Sequence, residues 1–323
     1  MTVTQQTEVL PCLRRDQIHL YFDPNQEPAI RVRPGDRLVV ETEDAHMGSI
    51  RSERDLYKTL AEVFERLGGA NPVTGPIYLE EVEPGDCLAL TFEEIVPGVV
   101  QGQGYTVLTP GLGGLQSNYS LQGPLTPRTV ICPIRGDKVA FPARGGTVEL
   151  PVAPFLGTIG VAPKGERRLS YLQGAEFLGN VDVPLCGIGA TVVMRANVPG
   201  GLVSLGDAHA IQGDGEISGA AIEVQADVTV RIERIPKEQA QYVLLPQINT
   251  PELIGSIAGL GGVNLGDCVR AAYIDVVNRL VQFHGFELDE AYLLVGQAAK
   301  VTVGQVLDPL YSAAVTIERR YIE

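Results

Sequence analysis

Short runs in which β-branched or apolar residues alternate with polar ones dominate the chain from residue 17 to about residue 235, and turn residues separate them. Alternation with a period of two is the pattern of a half-buried β-strand. The segments 29–44 and 77–95 each hold a Pro-Gly-Asp turn between two such runs, which predicts two β-hairpins. Further strands are predicted at 129–133, 138–141, 147–150, 191–198 and 220–232.

Three segments show helical spacing instead. In 52–68 the apolar residues Leu56, Leu60, Val63, Phe64 and Leu67 share one face, and a glycine pair follows. Two more helices are predicted at 264–285, with Gly285 as its stop, and at 288–301. We therefore predict a mainly β protein. Its parts are a β-rich body at 1–238, which a division near residue 150 would split into two β subdomains, and a smaller α+β portion at 239–323.

Charge and cysteine content narrow the classes of protein. The formal net charge is −14, and no basic run interrupts it, so we expect neither a nucleic-acid partner nor an anionic membrane surface. The five cysteines are widely spaced without a C-x-x-C pair, which is typical of reduced thiols. No run of 18 uncharged apolar residues occurs, and the first residues hold no hydrophobic stretch. A soluble, cytoplasmic protein is expected.

The segment 198–224 concentrates residue types that carry chemistry. Asp207, His209, Gln212, Asp214 and Glu216 follow one another there, separated by glycine, alanine and isoleucine. On a strand, Asp207 and His209 would point to the same face, and Asp214 and Glu216 repeat that spacing. Carboxylates and imidazole that converge on one point suit Zn²⁺ or another divalent metal. The alternative is an ordinary loop with solvated acids and a histidine that caps a turn.

The same segment carries a family resemblance. GDAHAIQGDGEISGAAIEV closely resembles the Gly-Asp-x-His-Ala-x-x-Gly-Asp-Gly-Glu signature of the acetamidase/formamidase family. Other family segments follow in the expected order, at 34–45, 71–86, 157–166, 178–185 and 284–309. The resemblance covers roughly residues 28 to 310.

The resemblance implies a fold and an activity. The fold would be a jelly-roll-like β-sandwich body with a small α+β C-terminal portion, assembled as a homo-oligomer such as a dimer or tetramer. The activity would be metal-dependent hydrolysis of formamide, acetamide or related small amides to ammonia and a carboxylate. The alternatives are a hydrolase of a γ-lactam or a larger amide, and a non-catalytic, metal-containing β-sandwich that binds a ligand.

Family correspondence also suggests roles for named residues. The candidate metal ligands are Asp44, Asp182, His209 and Asp207, although Asp207 can instead orient His209. The metal would be Zn²⁺, with Ca²⁺ or another divalent ion as the alternative. For the catalytic set we expect Glu80 as general base, Asn180 as hydrogen-bond partner of the amide, and Asp214 and Glu216 as residues that complete the site or shape its loop. His46 departs from the family pattern, and Cys186 is interpreted as a buried apolar residue rather than a nucleophile.

Overall fold

The computed structural model describes residues 9–115, 125–307 and 310–323, so Asp308 and Pro309 of the predicted C-terminal segment lie outside the described residues. Its helices are α1 Leu60–Leu67, α2 Leu265–His284 and α3 Leu288–Ala298, and a 3₁₀ turn follows at Arg319–Tyr321. Its strands, numbered along the chain, are β1 Cys12–Leu13, β2 Ile18–His19, β3 Tyr21–Phe22, β4 Ile30–Val32, β5 Arg37–Thr42, β6 Val73–Leu79, β7 Cys87–Pro97, β8 Gln103–Leu108, β9 Arg128–Arg135, β10 Lys138–Ala143, β11 Gly146–Pro151, β12 Phe155–Gly160, β13 Arg168–Leu169, β14 Gln173–Gly174, β15 Leu178–Asn180, β16 Thr191–Arg195, β17 Val203–His209, β18 Glu223–Val224, β19 Ala226–Ile235, β20 Gln247–Asn249, β21 Leu253–Gly259, β22 Lys300–Leu307 and β23 Leu310–Glu318.

Two large sheets hold most of these strands, which confirms the prediction of a mainly β protein. One sheet has the strand order β1-β5-β19-β7-β16-β20-β21-β23-β22. The other runs β11-β10-β9-β8-β18-β17-β12-β15-β14, and β6 joins it by pairing with β17, β2 and β4. The largest apolar core draws buried residues from both sheets, such as Leu38 and Phe92 from the first and Leu156 and Leu205 from the second. The two sheets therefore share one core.

The two predicted hairpins are wrong in their pairing. Strands form at both places, but β4 pairs in parallel with β6, whereas β5 pairs with β1 and β19. Likewise β6 pairs with β17 in one sheet, and β7 pairs with β19 and β16 in the other. Each Pro-Gly-Asp turn is therefore a corner that carries the chain from one sheet to the other. The predicted strand 220–232 also divides at Gln225, into β18 of one sheet and β19 of the other.

The helices follow their capping residues. Helix α1 begins at Leu60 rather than at residue 52, because the Thr59 side chain accepts a hydrogen bond from the Glu62 N–H and fixes the start there. Helix α2 confirms its predicted bounds, with Asn264 as N-cap and Gly285, in the left-handed conformation, after its end. Helix α3 ends at Ala298, earlier than predicted. In the described part of the chain, no helix is long and apolar enough to span a membrane.

The C-terminal portion continues the body in the same sheet. Strands β20 to β23 extend the nine-stranded sheet beyond β16, and α2 and α3 pack on them around a second apolar core that includes Ile254, Val276 and Val315. The predicted division near residue 238 stays a prediction, but β22 also contacts the body through a bridge between Gln305 and Gly215, in the turn between β17 and β18.

Candidate functional site

Asp207 and His209 lie at the end of β17, which is paired on one side with β12 and on the other with β6 and β18. Both side chains are 1% exposed, and Asp207 Oδ1 lies 3.4 Å from His209 Nε2. Gly157 faces them from β12. A side chain there would occupy the space that the carboxylates of Asp182 and Asp207 fill. Glycine at 157 is therefore a condition for bringing the two carboxylates together.

The carboxylates of Asp182 and Asp207 are held in the same manner, each by one oxygen. Asp207 Oδ2 accepts a hydrogen bond from Asn71 Nδ2 at 2.7 Å and lies 3.1 Å from Thr158 Oγ1, whose one hydrogen is shared with Asn180 Oδ1 at 2.6 Å. Asp182 Oδ2 accepts from Asn180 Nδ2 at 2.9 Å and from Gln305 Nε2 at 2.5 Å. The other oxygen of each carboxylate is buried and has no hydrogen-bond partner among the described residues. Each carboxylate therefore keeps one oxygen available for a ligand.

His209 presents its Nε2 to the same centre. Gln212 donates both of its amide hydrogens to carbonyl oxygens, those of Asp182 at 2.9 Å and Gly304 at 3.0 Å. Its Oε1 therefore faces His209 Nδ1, at 2.9 Å, and must accept a hydrogen from it. With the proton on Nδ1, the neutral imidazole directs the Nε2 lone pair towards Asp207 Oδ1 and Glu223 Oε2, at 3.4 and 3.3 Å. A lone pair that faces carboxylate oxygens requires positive charge between them, supplied by a proton on Nε2 or by a metal cation.

Two glutamates complete the cluster. Glu223 lies on β18 opposite His209, and Glu216 follows a turn whose Gly215 forms backbone hydrogen bonds with Val303 and Val306 around β22. The backbone N–H of Ala221 is 3.0 Å from an oxygen of each glutamate, which sets their side chains beside each other. His209 belongs to two sets of possible metal ligands, one with Asp182 and Asp207 and one with Glu216 and Glu223, and the ligand atoms of each set lie within 4.8 Å of one another. Four carboxyl groups and one imidazole are thus buried together, a charge balance that favours a bound cation.

Four residues of this site adopt the left-handed backbone conformation that non-glycine residues rarely occupy. They are Asn71, Asp182, Asp207 and Glu216, with φ values of 53°, 47°, 56° and 45°. Each such residue costs on the order of 1–3 kcal/mol and persists only where its surroundings enforce it. The backbone is therefore strained where the ligand-type side chains converge, as is common at functional sites.

Burial and mutual charge shift the pKa values of the cluster. Burial raises the pKa of Asp182 well above its usual value, and the nearby carboxylates of Glu216 and Asp207 raise it further. Burial also raises the pKa of Glu216 to about 8, against the opposing effect of His209 and with a contribution from Glu223. For His209, burial disfavours the charged form, but Glu223 and Asp207 outweigh it and hold the pKa of the imidazole well above its usual range. The cluster attracts positive charge, as protons or as a metal ion.

Three predicted residues lie outside this cluster. Asp44 is buried, but its Oδ1 accepts from Tyr105 Oη at 2.8 Å and from the backbone N–H groups of His46 and Gly48 at 3.0 Å, while Arg51 contacts its Oδ2 at 3.1 Å. Its oxygens are thus occupied, and it supports a loop rather than joining the ligand group. The other two, Glu80 and Asp214, lie at the surface.

Strand direction explains the position of Glu80. Strand β6 places Val73 beside Gly206 and Ile77 beside Val203, so it runs away from Asp207. Its end at Leu79 lies about 20 Å from its start at about 3.3 Å per residue. Glu80 therefore emerges far from the cluster, where its side chain is 44% exposed and 3.8 Å from Arg31. Asp214 is exposed because the segment before Glu216 is a turn, where the two-residue period of a strand does not apply.

A cavity of about 240 Å³ opens beside the cluster. Its polar wall contains Asn71, Asn180, Glu216, Glu223 and Gln305, together with His46. His46 stacks on Tyr57 with ring centroids 5.4 Å apart, and its Nδ1 lies 3.0 Å from Tyr105 Oη. Burial lowers the pKa of His46, which keeps its ring neutral.

Several site residues were not predicted from the sequence. They are Asn71, Thr158, Glu223 and Gln305, and none is close to the 207–216 segment along the chain except Glu223. Asn71 opens the 71–86 segment in which Glu80 was chosen, so the structure brings the start of that segment, and not Glu80, to the cluster. Cys186 is fully buried and burial raises the pKa of its thiol to about 12, in agreement with an apolar role.

Comparison with known proteins identifies a family that this chain matches. Residues 9–170 and 161–317 match the Acetamidase/Formamidase family. The structure is similar to a crystal structure of an acetamidase from Yersinia enterocolitica, with a TM-score of 0.87 and 31% identity, over 99% of this chain and 94% of that one. It is also similar to an acetamidase from Bacillus halodurans, with a TM-score of 0.84 and 29% identity, over 96% of this chain and 98% of that one.

A formamidase homologue of Schizosaccharomyces pombe is 24% identical over an alignment of 270 residues, and the match covers 68% of this chain. The match spans 65% of the yeast protein's length, just under two thirds.

Proposed function

Because the chain belongs to the acetamidase/formamidase family, we propose that it hydrolyses the C–N bond of small linear amides to ammonia and a carboxylate with the help of a bound divalent cation. The observation that carries this proposal is the convergence of Asp182 Oδ1, Asp207 Oδ1 and His209 Nε2, buried atoms without hydrogen-bond partners in the described ranges. They lie in a cluster that borders a cavity.

Asp182, Asp207 and His209 are the proposed ligands. Two carboxylates and one imidazole resemble the three-residue donor sets of catalytic zinc sites, which leave a position open. Zn²⁺ is therefore our first choice, and Ca²⁺ is the alternative because most of the donors are oxygens. When bound, such a cation activates water and polarises the amide carbonyl. Gln212 fixes the tautomer of His209 that can bind it.

Glu216 takes the role of general base that Glu80 cannot fill from the surface. It is buried, it lines the cavity, and burial places its pKa at about 8, near the range in which a base and an acid are both effective. The proposed sequence is that Glu216 accepts a proton from the attacking water as the water oxygen bonds to the carbonyl carbon. The C–N bond then breaks, the proton passes to the departing nitrogen, and ammonia leaves.

His46 and Asn180 are proposed to position the amide. The hydroxyl of Tyr105 donates to Asp44, so its oxygen accepts from His46 Nδ1 and the proton of the ring lies on Nδ1. His46 Nε2 then offers a lone pair at the cavity wall, suited to the N–H of an amide. Asn180 donates one amide hydrogen to Asp182 and has a second for the substrate oxygen.

Ammonia release tests the proposal. The substrates are formamide, acetamide and propionamide, assayed before and after chelation and after adding back Zn²⁺ or Ca²⁺. A γ-lactam, whose ring opening yields a γ-amino acid and no ammonia, is followed by the appearance of that amino acid. We expect activity that falls on chelation and returns with one metal. Activity that chelation leaves unchanged would refute the role of the cation. Stoichiometric metal binding without hydrolysis of any amide would favour a binding protein instead.

A further inference from the structure

The cavity beside the cluster has a second, apolar wall that the hydrolysis of the smallest amides does not use. The same cavity is lined by large apolar side chains: Leu60, Val63, Phe64, Leu112, Leu307 and Leu310. Apart from Tyr171, which packs against Phe64, its polar lining residues are those of the cluster and of its immediate surroundings. The rest of the cavity is suited to hydrocarbon.

The size of the cavity exceeds that of acetamide. One water molecule in the liquid takes up about 30 Å³, so a cavity of 240 Å³ has the volume of about eight water molecules. Acetamide consists of two carbons, one nitrogen and one oxygen, so it would fill about half of that space. Its methyl group would leave much of the apolar wall without contacts and would lose the dispersion and burial energy available there.

Helix α1 makes this wall a fixed part of the site. Val63 and Phe64 follow Leu60 by about one helical turn, so the three side chains share the face that borders the cavity. The helix is capped by Thr59 at its start and by Gly68, in the left-handed conformation, at its end. The Phe64 ring packs edge-on against Tyr171, with centroids 5.3 Å apart. The wall is thus held in place before any substrate binds.

We infer that the substrate of this site is a primary amide whose acyl group is apolar and about four to six carbons long, straight or branched, a size set by the unfilled volume. The amide group lies at the polar end, and the acyl chain packs against Leu60, Val63 and Phe64. This inference rests on the proposed amide hydrolysis and adds the class of acyl group.

The test compares kcat/KM for acetamide, butyramide, 3-methylbutyramide and hexanamide, using the full-length protein with the activating metal. We expect kcat/KM to rise about fourfold for each methylene that becomes buried, the equivalent of about 0.8 kcal/mol. A ranking in which formamide or acetamide is the best substrate would overturn the inference and leave amide hydrolysis intact. Release of no ammonia from any of these amides would instead overturn the proposed function.

Substitutions on helix α1 test the wall directly. Leu60→Trp should lower the ratio of kcat/KM for 3-methylbutyramide to that for acetamide by about tenfold or more, because it fills the cavity at the acyl end. Leu60→Ala should shift the substrate preference towards hexanamide. It tests the same wall if Leu60→Trp does not fold. The same two substitutions at Leu67, on the same helix but outside the cavity lining, are the matched controls. Equal ratios for the Leu60 and Leu67 variants would contradict the placement of the acyl group.

Discussion

The segments Asp207-x-His209 and Asp214-x-Glu216 have the same spacing but different geometry. The first lies on β17, where strands on both sides hold the backbone, and both side chains reach one buried point. The second lies in a turn, where Glu216 is 7% exposed and Asp214 is exposed to solvent. The paired strands hold the backbone of β17 even at Asp207, whose φ of 56° lies outside the strand region, so this support and not the spacing alone brings the two side chains together. In the turn, Gly215 and its hydrogen bonds to β22 decide which side chain is buried.

The largest effect should come from the strand segment. His209→Ala removes the one nitrogen ligand, and we expect loss of bound metal and a fall in kcat/KM of about 10³-fold or more, since a cation contributes several kcal/mol to the barrier. The measurements are metal content and ammonia release. His284→Ala, a change at the end of α2 remote from the cluster, should leave both unchanged. A His209→Ala protein with full metal content would remove His209 from the ligand set.

Glu216→Gln tests the buried half of the turn segment. The amide cannot accept the proton from water, so kcat should fall about 10²–10⁴-fold. Metal content should stay near that of the parent protein, because Asp182, Asp207 and His209 are intact. This split separates a base from a ligand. A parallel loss of metal would make Glu216 a ligand instead, and an unchanged kcat would eliminate it as the base.

Gln212→Met tests the residue that lies between the two segments and contacts His209 Nδ1. Methionine has a similar length but does not accept the Nδ1 hydrogen of His209, so the tautomer is no longer fixed. We expect metal affinity to weaken about 10–100-fold. Titration with the metal measures the Kd, and a high metal concentration should restore most of the activity. Failure of added metal to restore activity would point to a different role for Gln212.

Asp214→Asn should have the smallest effect. The carboxylate is exposed and outside the cluster, so kcat/KM and metal content should change by less than about twofold, as surface substitutions usually do. Glu80→Gln, at the far end of β6, should behave in the same way. A large loss of activity in either variant would contradict the site described above.

Much of the fold was predictable because it depends on local signals. The caps Asn264 and Gly285 fixed α2, and strict alternation predicted β19 with its buried face. Pairing was less predictable, since a Pro-Gly-Asp turn looks the same in a hairpin and in a corner between sheets. Gln225 is another such corner, because β18 before it belongs to one sheet and β19 after it belongs to the other. Glu223 was therefore missed as a site residue although it lies in a predicted strand.

The site itself was predictable only in part, for a related reason. The segment 207–216 supplied His209, Asp207 and Glu216 from their types and spacing. Asn71 and Gln305 reach Asp207 and Asp182 through long-range pairing of strands, which no local pattern reveals. Family correspondence identified the segment 71–86 but could not tell which end of β6 meets the cluster.

The contacts of β22 and β23 with the cluster set an order for assembling the site during protein synthesis. Gln305 holds Asp182 across 123 residues of sequence, and the Ser312 hydroxyl contacts the Val181 carbonyl across 131. A chain emerging from the ribosome therefore carries every charged residue of the cluster long before it carries Gln305 and Ser312, although Asn71, Thr158 and Asn180 are already present. The acidic cluster stays incomplete until residue 312 has left the exit tunnel, so premature termination shortly before that point would yield a nearly full-length chain without a finished site.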